Sequence, residues 1–340
     1  MTTQFDLFGA DAVPPATSSA RSGPSRPVAP AAPEARVAAL GRALPARLYL
    51  GTSSWAFPGW AGIVYDRAAP EGELARDGLR AYAAHPLLRC VGVDRTYYAT
   101  LAASDFARYA AQVPAAFRFV VKGPALVTDP FIRAARGRPA GENPRFLDAH
   151  FTAAHCVAPY LEGLGANAGP LFFQFPPLGR TWVRDPARFA ARLHRFLAAL
   201  PAGPTYAVEV RDAELVGEAL AAALDAAGAR YCFGVHPRLP DLDAQAACML
   251  RPGPFVARWN LRGGLAYEQA RARYAPFDRL VEPDPGTRGA LARLCARALA
   301  DGAPAFVVAN NKAEGSAPLT LVALAGEIVA LAAERGAGAP

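Results

Sequence analysis

Short apolar runs alternate with longer amphipathic segments from residue 47 almost to the end of the chain. The apolar runs cover residues 48–55, 90–98, 117–123, 170–176, 205–211, 230–236, 255–260 and 305–311. Their nearly continuous apolar character is typical of parallel strands that are covered on both faces. The Ala-, Leu- and Arg-rich segments between them repeat apolar residues at helical spacing. Eight strand–helix units favour closure of the sheet, so the sequence predicts an α/β fold, a (β/α)8 TIM barrel over residues 47–335.

The chain before residue 47 has a different composition. Residues 9–46 are rich in Ala, Pro, Ser, Gly and Arg and show no hydrophobic period. Such a segment buries too little apolar surface to offset the conformational entropy that it would lose on ordering. The sequence therefore predicts a disordered tail over residues 1–46, with a short apolar island at residues 4–8.

Composition and charge narrow the class of protein. A hydrophobic fraction of 52% with 19% charged residues is typical of a soluble globular protein. The net charge of +7 permits contact with nucleic acid without requiring it, because no block of basic residues stands out. The five cysteines include no Cys-x-x-Cys pair, which favours reduced thiols and a cytoplasmic location. We found no signal-peptide pattern and no apolar run of about 18 residues, so we predict no membrane insertion.

Functional groups in TIM barrels lie at the carboxyl ends of the strands. Four charged residues at predicted strand ends are our catalytic candidates: Asp94, Lys122, Glu209 and Arg211. Eight further side chains near strand ends are candidates for substrate binding: Trp55, Tyr97, Tyr98, Gln174, Arg258, Asn310, Asn311 and Lys312. The alternative is a buried ion-pair network that only fixes the mouth of the barrel.

Lys122 and Lys312 are the only lysines among 36 cationic residues, and each follows a strand-like run. The pKa of an ammonium group falls on burial, whereas a guanidinium group stays charged. Two lysines kept at strand ends therefore indicate a site that needs an amine, and the alternative is chance placement on the loops at strand ends.

Motifs for several common cofactors and reactions are absent from the sequence. No Gly-x-Gly-x-x-Gly follows the first strand, and no serine lies in a Gly-x-Ser-x-Gly elbow. The five histidines show no zinc-binding spacing. We therefore predict no zinc site and name no metal ligands, and the sequence points to no particular cofactor. Asp94 and Glu209 leave open a carboxylate pair for acid–base chemistry or for a divalent metal.

Several motifs together resemble the YecE-like family, also called domain of unknown function 72. They are Leu50-Gly51-Thr52-Ser53-Ser54-Trp55, Asp94-Arg95-Thr96-Tyr97-Tyr98, Phe117 to Lys122, Phe173-Gln174-Phe175-Pro176-Pro177, Ala207 to Asp212, and Asn310-Asn311 through Ala317-Pro318. The resemblance covers about residues 47–335 in collinear order. It implies a TIM barrel and no established activity.

Two positions depart from that family's pattern. Asp94 stands where the family usually has Glu, and this shorter carboxylate keeps its capacity for acid–base chemistry. Arg258-Trp259-Asn260 stands where the family usually has Arg-x-His-Gly, so a histidine that would serve as general base is missing. Whether this change abolishes the family's activity stays open.

The N-terminal island resembles a second known motif. Gln4-Phe5-Asp6-Leu7-Phe8 is similar to the pentapeptide by which proteins bind the bacterial DNA sliding clamp. In that resemblance Leu7 and Phe8 fill an apolar pocket of the clamp and Gln4 donates or accepts a hydrogen bond at its rim.

Three interpretations of function stay open. The barrel is an enzyme acting on a phosphate- or sugar-containing substrate, or a DNA-maintenance factor recruited to the clamp by its tail, or a binding module without catalysis. Salt-dependent DNA binding distinguishes the second interpretation from the first.

Overall fold

Eight parallel strands form a closed barrel. The computed structural model describes residues 26–134 and 138–337, with side chains to residue 334. The barrel strands are β1 Leu48–Thr52, β2 Leu88–Val93, β3 Arg118–Lys122, β6 Ala168–Gln174, β7 Tyr206–Glu209, β8 Arg230–Val235, β9 Phe255–Trp259 and β10 Ala305–Ala309, and β10 pairs with β1 to close the ring. Their positions confirm the predicted TIM barrel.

Helices surround the barrel, and helical segments alternate with the barrel strands as the sequence predicts. Their bounds are α1 Ala35–Ala43, α2 Glu71–Asp77, α3 Leu79–Ala83, α4 Ala103–Ala110, α5 Ala125–Thr128, α6 Ala149–Thr152, α7 Ala158–Leu164, α8 Arg180–Val183, α9 Pro186–Ala198, α10 Glu218–Ala226, α11 Leu242–Gln245, α12 Tyr267–Tyr274, α13 Pro285–Ala300 and α14 Ala317–Ala337. One π-helical turn, Ala153–Val157, joins α6 to α7. The main apolar core lies between these helices and the outer face of the sheet.

Two insertions at the ends of strands were not predicted. A two-stranded antiparallel hairpin, β4 Phe131–Arg133 and β5 Pro139–Glu142, follows β3. Its second strand is exposed along its whole length, so it has no alternating apolar pattern. Helix α12 follows β9, and its charged residues leave no clear apolar stripe. Neither element buries enough apolar surface to be visible in the sequence.

Residues 26–46 differ from the prediction of a disordered tail. Helix α1 packs against α14, and the side chains of Val28 and Leu44 are buried. The Arg89 guanidinium on β2 donates hydrogen bonds to the carbonyl oxygens of Gly41 and Pro45, at 3.0 and 2.7 Å. A few apolar anchors and these hydrogen bonds order a segment whose composition alone indicates disorder. The remaining part of the predicted tail, including residues 4–8, lies outside the described residues.

One helix in the described part of the chain is long and apolar enough to cross a membrane, judged by length and composition alone. It is residues 317–334 of α14, where Thr320, Glu327 and Glu334 interrupt the apolar residues, so the segment is not an unbroken apolar run. In the fold, its residues Leu321, Leu324 and Ile328 are buried in the core against the barrel. This packing accounts for the apolar composition of the helix.

Candidate functional site

The interior of the barrel changes from apolar to polar as the strands approach their carboxyl ends. All eight strands contribute to an apolar cluster that is separate from the outer core: Tyr49, Cys90, Val120, Phe172, Ala207, Cys232, Val256, Phe306 and Val308. Two positions beyond members of this cluster come polar side chains: Lys122, Gln174, Glu209, Arg258 and Asn310. Residues two apart on a strand share a face, so these polar side chains form the next layer of the interior. All five are buried.

Glu209 lies at the centre of a buried ion-pair network. Its Oε1 is 2.5 Å from Nη2 of Arg211, and its Oε2 is 2.9 Å from Nη1 of Arg258. Nη2 of Arg258 continues the chain of contacts to Oδ2 of Asp94, at 2.9 Å. The four side chains come from the ends of β2, β7 and β9, and none is more than 5% exposed. The network therefore joins opposite parts of the barrel mouth.

Neutral groups complete the surroundings of the two arginines. The Oε1 of Gln174 accepts hydrogen bonds from Arg258 Nη1 at 3.0 Å and from Arg211 Nη2 at 3.2 Å. The guanidinium of Arg258 also lies over the ring of Phe172, 4.6 Å from its centroid. Two buried donors of Arg211, Nε and Nη1, have no partner among the described residues. An unpaired buried donor is costly, so these two nitrogen atoms are available to an acceptor.

Glu209 carries a negative charge at neutral pH. Burial acts to raise the pKa of Glu209, but the positive charges of Arg211 and Arg258 outweigh it and hold the pKa below that of an ordinary glutamate. A carboxylate in this state accepts hydrogen bonds and does not donate a proton. Glu209 therefore positions the two arginines.

Lys122 is the group in this layer whose charge changes near neutral pH. Burial lowers the pKa of Lys122 from 10.5 to about 7, against the opposing effect of Asp94 and with a further lowering by Arg258. Its Nζ lies 3.7 Å from the centroid of the Tyr97 ring. Within residues 26–134 and 138–334 no ion pair involves this amine. An amine with such a pKa accepts or donates a proton readily at neutral pH.

Lys312 occupies a second buried position at the end of β10. Burial and the nearby charge of Arg271 lower the pKa of Lys312 from 10.5 to about 8, against the opposing effect of Glu268. Its Nζ is 3.3 Å from Oδ1 of Asn310 and 4.2 Å from the centroid of the Tyr267 ring. Asn310 in turn donates a hydrogen bond to Oγ of Ser53, at 2.9 Å. Lys312 and Asn310 thus form a contact of their own beside the central network.

An open cavity of about 480 Å³ lies at the ends of β1 and β2. Its lining includes Ser53, Ser54, Trp55, Asp94, Arg95, Tyr98 and Tyr109. The Trp55 indole N–H donates to the Leu74 carbonyl at 3.1 Å, which fixes the ring as part of the wall. Asp94 belongs both to the cavity wall and to the buried ion-pair network. This carboxylate therefore connects the space where a ligand fits with the charges in the barrel interior.

Comparison with known proteins identifies the family. The DUF72 family, described as proteins of unknown function, matches residues 49–337. The chain belongs to the DUF72 family. A search of curated proteins returns no significant match.

Solved structures of DUF72 proteins share the fold. One from Enterococcus faecalis V583 superposes with a TM-score of 0.56 at 15% identity, covering 83% of this chain and 95% of its own. One from Thermotoga maritima MSB8 has a TM-score of 0.51 at 19% identity, covering 83% of this chain and 99% of its own. The crystal structure of SacUVDE reaches a TM-score of 0.42 at 7% identity over 85% of this chain and 99% of its own, too low to support a functional comparison.

In this DUF72 chain the predicted site residues separate into groups. The network contains Asp94, Gln174, Glu209, Arg211 and Arg258, with Lys122 and Tyr97 beside it. Trp55 and Tyr98 lie in the cavity wall instead. Asn311 does not join either group, because its Oδ1 accepts hydrogen bonds from Trp60 Nε1 and from the backbone N–H of Ala317 at the start of α14. Its contacts are those of a structural residue.

Four residues near the site were not among our candidates. Arg95 and Tyr109 line the cavity, where Nη1 of Arg95 donates to the tyrosine hydroxyl at 2.8 Å. Asn260 Nδ2 lies 3.5 Å from Glu209 Oε1. Burial and the charge of Arg211 lower the pKa of His236 to about 3, so its imidazole is neutral at the end of β8. A position just after a strand could have identified Arg95, Asn260 and His236 from the sequence. Tyr109 lies on helix α4, so the strand ends give no signal for it.

The described residues contain no group of three or more His, Cys, Asp or Glu side chains placed to hold a metal ion. The carboxylates of Asp94 and Glu209 at the mouth are instead paired with the guanidinium groups of Arg211 and Arg258. The site supplies three kinds of chemical group. They are the proton-accepting amine of Lys122, the fixed positive charges of the arginines and the Asp94 carboxylate in the cavity wall.

Proposed function

We propose that this DUF72 protein is an enzyme that acts on a sugar- or phosphate-containing substrate at the carboxyl mouth of its barrel. The observation that carries the proposal is Lys122, a fully buried amine whose pKa is lowered to about 7 beside a carboxylate that lines an open cavity. Groups whose pKa is shifted strongly toward neutrality are concentrated at catalytic sites. A merely structural network would be served as well by another arginine.

The cavity supports the choice of substrate class. Its volume of about 480 Å³ is within the usual range for small-molecule sites, about 300–1,000 Å³. Trp55, Tyr98 and Tyr109 place aromatic side chains in its wall, and such rings pack against the apolar faces of sugars. Arg95 adds an exposed guanidinium, which forms strong paired hydrogen bonds with phosphate. A sugar phosphate has an apolar face for the aromatic side chains and a phosphate group for the guanidinium of Arg95.

The proposed roles follow from charge and position. Lys122 acts as the proton acceptor, since burial lowers the pKa of its amine to about 7. Asp94 orients the substrate at the boundary between cavity and network. Glu209 and Arg211 act as positioning residues, because Glu209 holds the arginines and Arg211 keeps two donors free for an acceptor.

Calorimetric titration with glucose 6-phosphate, glucose and inorganic phosphate tests the binding part of the proposal. We expect the sugar phosphate to bind most tightly, and Arg95→Gln to weaken it at least about tenfold, the loss of one charged hydrogen bond. Arg76→Gln, an exposed arginine on α2 outside the cavity, is the matched control. Equal affinity for the three probes would show that the cavity does not select a sugar phosphate. An equal loss of affinity in both variants would show that the cavity is not the binding site.

Turnover tests the catalytic part. Substrate mixtures of phosphorylated sugars are incubated with wild-type protein and Lys122→Met, and products are followed by ³¹P NMR. Methionine keeps the length of the side chain and removes the amine, so we expect retained binding and lost turnover. Binding without any turnover between pH 6 and 9 in the wild type supports the binding-module interpretation and contradicts an enzyme.

We also propose that residues 4–8 bind the bacterial DNA sliding clamp and so bring the barrel to DNA. Support comes from the sequence Gln4-Phe5-Asp6-Leu7-Phe8, in which two large apolar side chains follow a polar anchor. A peptide of residues 1–12 should bind the clamp with micromolar affinity, about −8 kcal/mol. Replacing Leu7 and Phe8 by Ala should weaken binding at least about tenfold, because it removes the desolvated anchors.

The matched control for the clamp experiment is the same peptide with Thr2 and Thr3 replaced by Ala, which keeps the anchors. Unchanged affinity in this control and loss in the anchor variant support the clamp as a partner. If no peptide binds, the clamp is not a partner of residues 4–8 and does not bring the barrel to DNA.

A further inference from the structure

Arginines are concentrated on the outer wall of the barrel, away from the mouth cavity. Residues 180–198 contain five arginines, at positions 180, 184, 188, 192 and 195, and one acidic residue, Asp185. The Asp185 carboxylate caps α9, where its Oδ1 accepts a hydrogen bond from the backbone N–H of Arg188 at 2.9 Å. Four of the five arginines are exposed, and Arg192 is half-buried. The surface of α8 and α9 is therefore strongly positive.

Three of these arginines line one groove. A cavity of about 520 Å³ is bordered by Arg188, Arg192 and Arg195 on α9, together with Leu147, Ala149 and Phe196. Residues four and three apart on a helix lie on the same face. At a rise of 1.5 Å per residue, Arg188 and Arg192 are about 6 Å apart along the helix axis, and Arg192 and Arg195 are about 4.5 Å apart. The groove thus presents a row of positive charges in a line.

Aromatic side chains hold two of the guanidinium groups in place. Arg188 lies over the ring of Trp182, 5.4 Å from its centroid, and Arg192 lies 5.2 Å from the same ring. Arg192 also lies 5.7 Å from the centroid of Phe146. Stacking on aromatic faces reduces the freedom that an arginine loses when it binds a ligand. Within residues 26–134 and 138–334 none of the three groove arginines takes part in an ion pair.

We propose that this arginine groove binds the phosphate backbone of nucleic acid. Guanidinium groups fit phosphate with paired hydrogen bonds, and a line of them matches the repeated charges of a nucleic-acid strand. A groove suits a strand better than the flat surface of a bilayer. The groove shares no lining residue with the cavity at β1 and β2, so the two proposals fail or succeed independently.

Fluorescence anisotropy with a labelled 20-nucleotide DNA strand and the matching duplex tests the groove. We expect Arg188→Gln with Arg195→Gln to weaken binding at least about tenfold at low salt, since each phosphate contact contributes to affinity. The slope of log affinity against log salt should fall by about 1.4 for the single strand and about 1.8 for the duplex, the values for two lost phosphate contacts. Both arginines are exposed, so the melting temperature should not change.

The matched control removes two other exposed arginines, Arg36 and Arg42 of α1, by the same substitution to Gln. It changes the net charge equally, so an equal loss of DNA binding in both double variants would overturn the proposal. Polyglutamate of 20 residues that binds as tightly as DNA would also overturn it, because the groove would then recognise any acidic chain. Binding to phosphatidylserine vesicles but not to DNA would assign the surface to a membrane instead. Lys122→Met should bind DNA like the wild type, which separates this test from the proposed enzyme.

Discussion

At the scale of single residues, the two kinds of cation in the barrel mouth have different chemistry. Arg211 and Arg258 stay charged when buried and stabilise the carboxylates of Glu209 and Asp94. Lys122, in the same layer, has its pKa lowered to about 7 by burial. The arginines therefore fix the charge of the site, and the lysine supplies a proton acceptor.

The buried amine of Lys122 should make stability depend on pH. Its pKa is about 7 in the folded chain and 10.5 as the ordinary value, so between these pH values the unfolded chain binds a proton that the folded chain lacks. The free energy of unfolding then rises with pH across this window, by at most about 1.4 kcal/mol per pH unit. We expect the stability of the wild type relative to Lys122→Met to increase from pH 7 to pH 9 in urea unfolding.

Lys312→Met is the matched control for this pH series. Its window begins at about 8, so its relative stability should change mainly above that pH. The measured quantity is the difference in free energy of unfolding between the wild type and Lys122→Met. If this difference stays constant from pH 7 to pH 9, the amine titrates with its ordinary pKa.

Removing the charge of Glu209 should cost stability. Glu209→Gln leaves Arg211 and Arg258 buried without their shared anion, and breaking a buried ion pair typically costs about 3–5 kcal/mol. Glu34→Gln, at an exposed position before α1, is the control and should change stability by less than about 0.5 kcal/mol. Urea unfolding at pH 7 measures both. Equal stability of the two variants would mean that the network does not hold the mouth together.

At the scale of elements, the sequence predicts the barrel strands and their polar ends well. Each strand is an apolar run that is buried on both faces, and the polar layer follows from the two-residue period of a strand. Helix α1 was missed because a few buried anchors, such as Leu44, order it within an Ala- and Pro-rich segment. The hairpin after β3 and helix α12 were missed because they have little apolar surface to form a pattern.

Gly41 provides a test of how α1 packs on the barrel. A Cβ at this position would lie 2.7 Å from the Cβ of Pro86 and 2.9 Å from its carbonyl oxygen. Gly41→Ala should therefore destabilise the protein, although alanine is the better helix former by about 1 kcal/mol. Gly326→Ala in α14 meets nothing within 4 Å and should stabilise it by up to that amount. Thermal unfolding that shows stabilisation by both substitutions would contradict the docked position of α1.

At the scale of the whole molecule, closure of the barrel decides which charges meet. Asp94 and Arg258 are 164 positions apart in the chain, and β2 and β9 are not neighbours in the sheet, yet their side chains form an ion pair across the mouth. A strand-end position indicates that a side chain reaches the mouth. It does not indicate its partner, because the partner depends on strand order and on the tilt of the strands. This is why the sequence indicates the candidate residues but not the division between network and cavity.

The central claim is that the barrel mouth contains a lysine that loses its proton near neutral pH. Because the chain has only two lysines, selective labelling with [¹³Cε]lysine gives two signals, and Lys312→Arg assigns them by removing one. An NMR titration of this carbon should show a midpoint of about 7 for Lys122 and about 8 for Lys312. Two midpoints near the ordinary value of 10.5 would contradict the account.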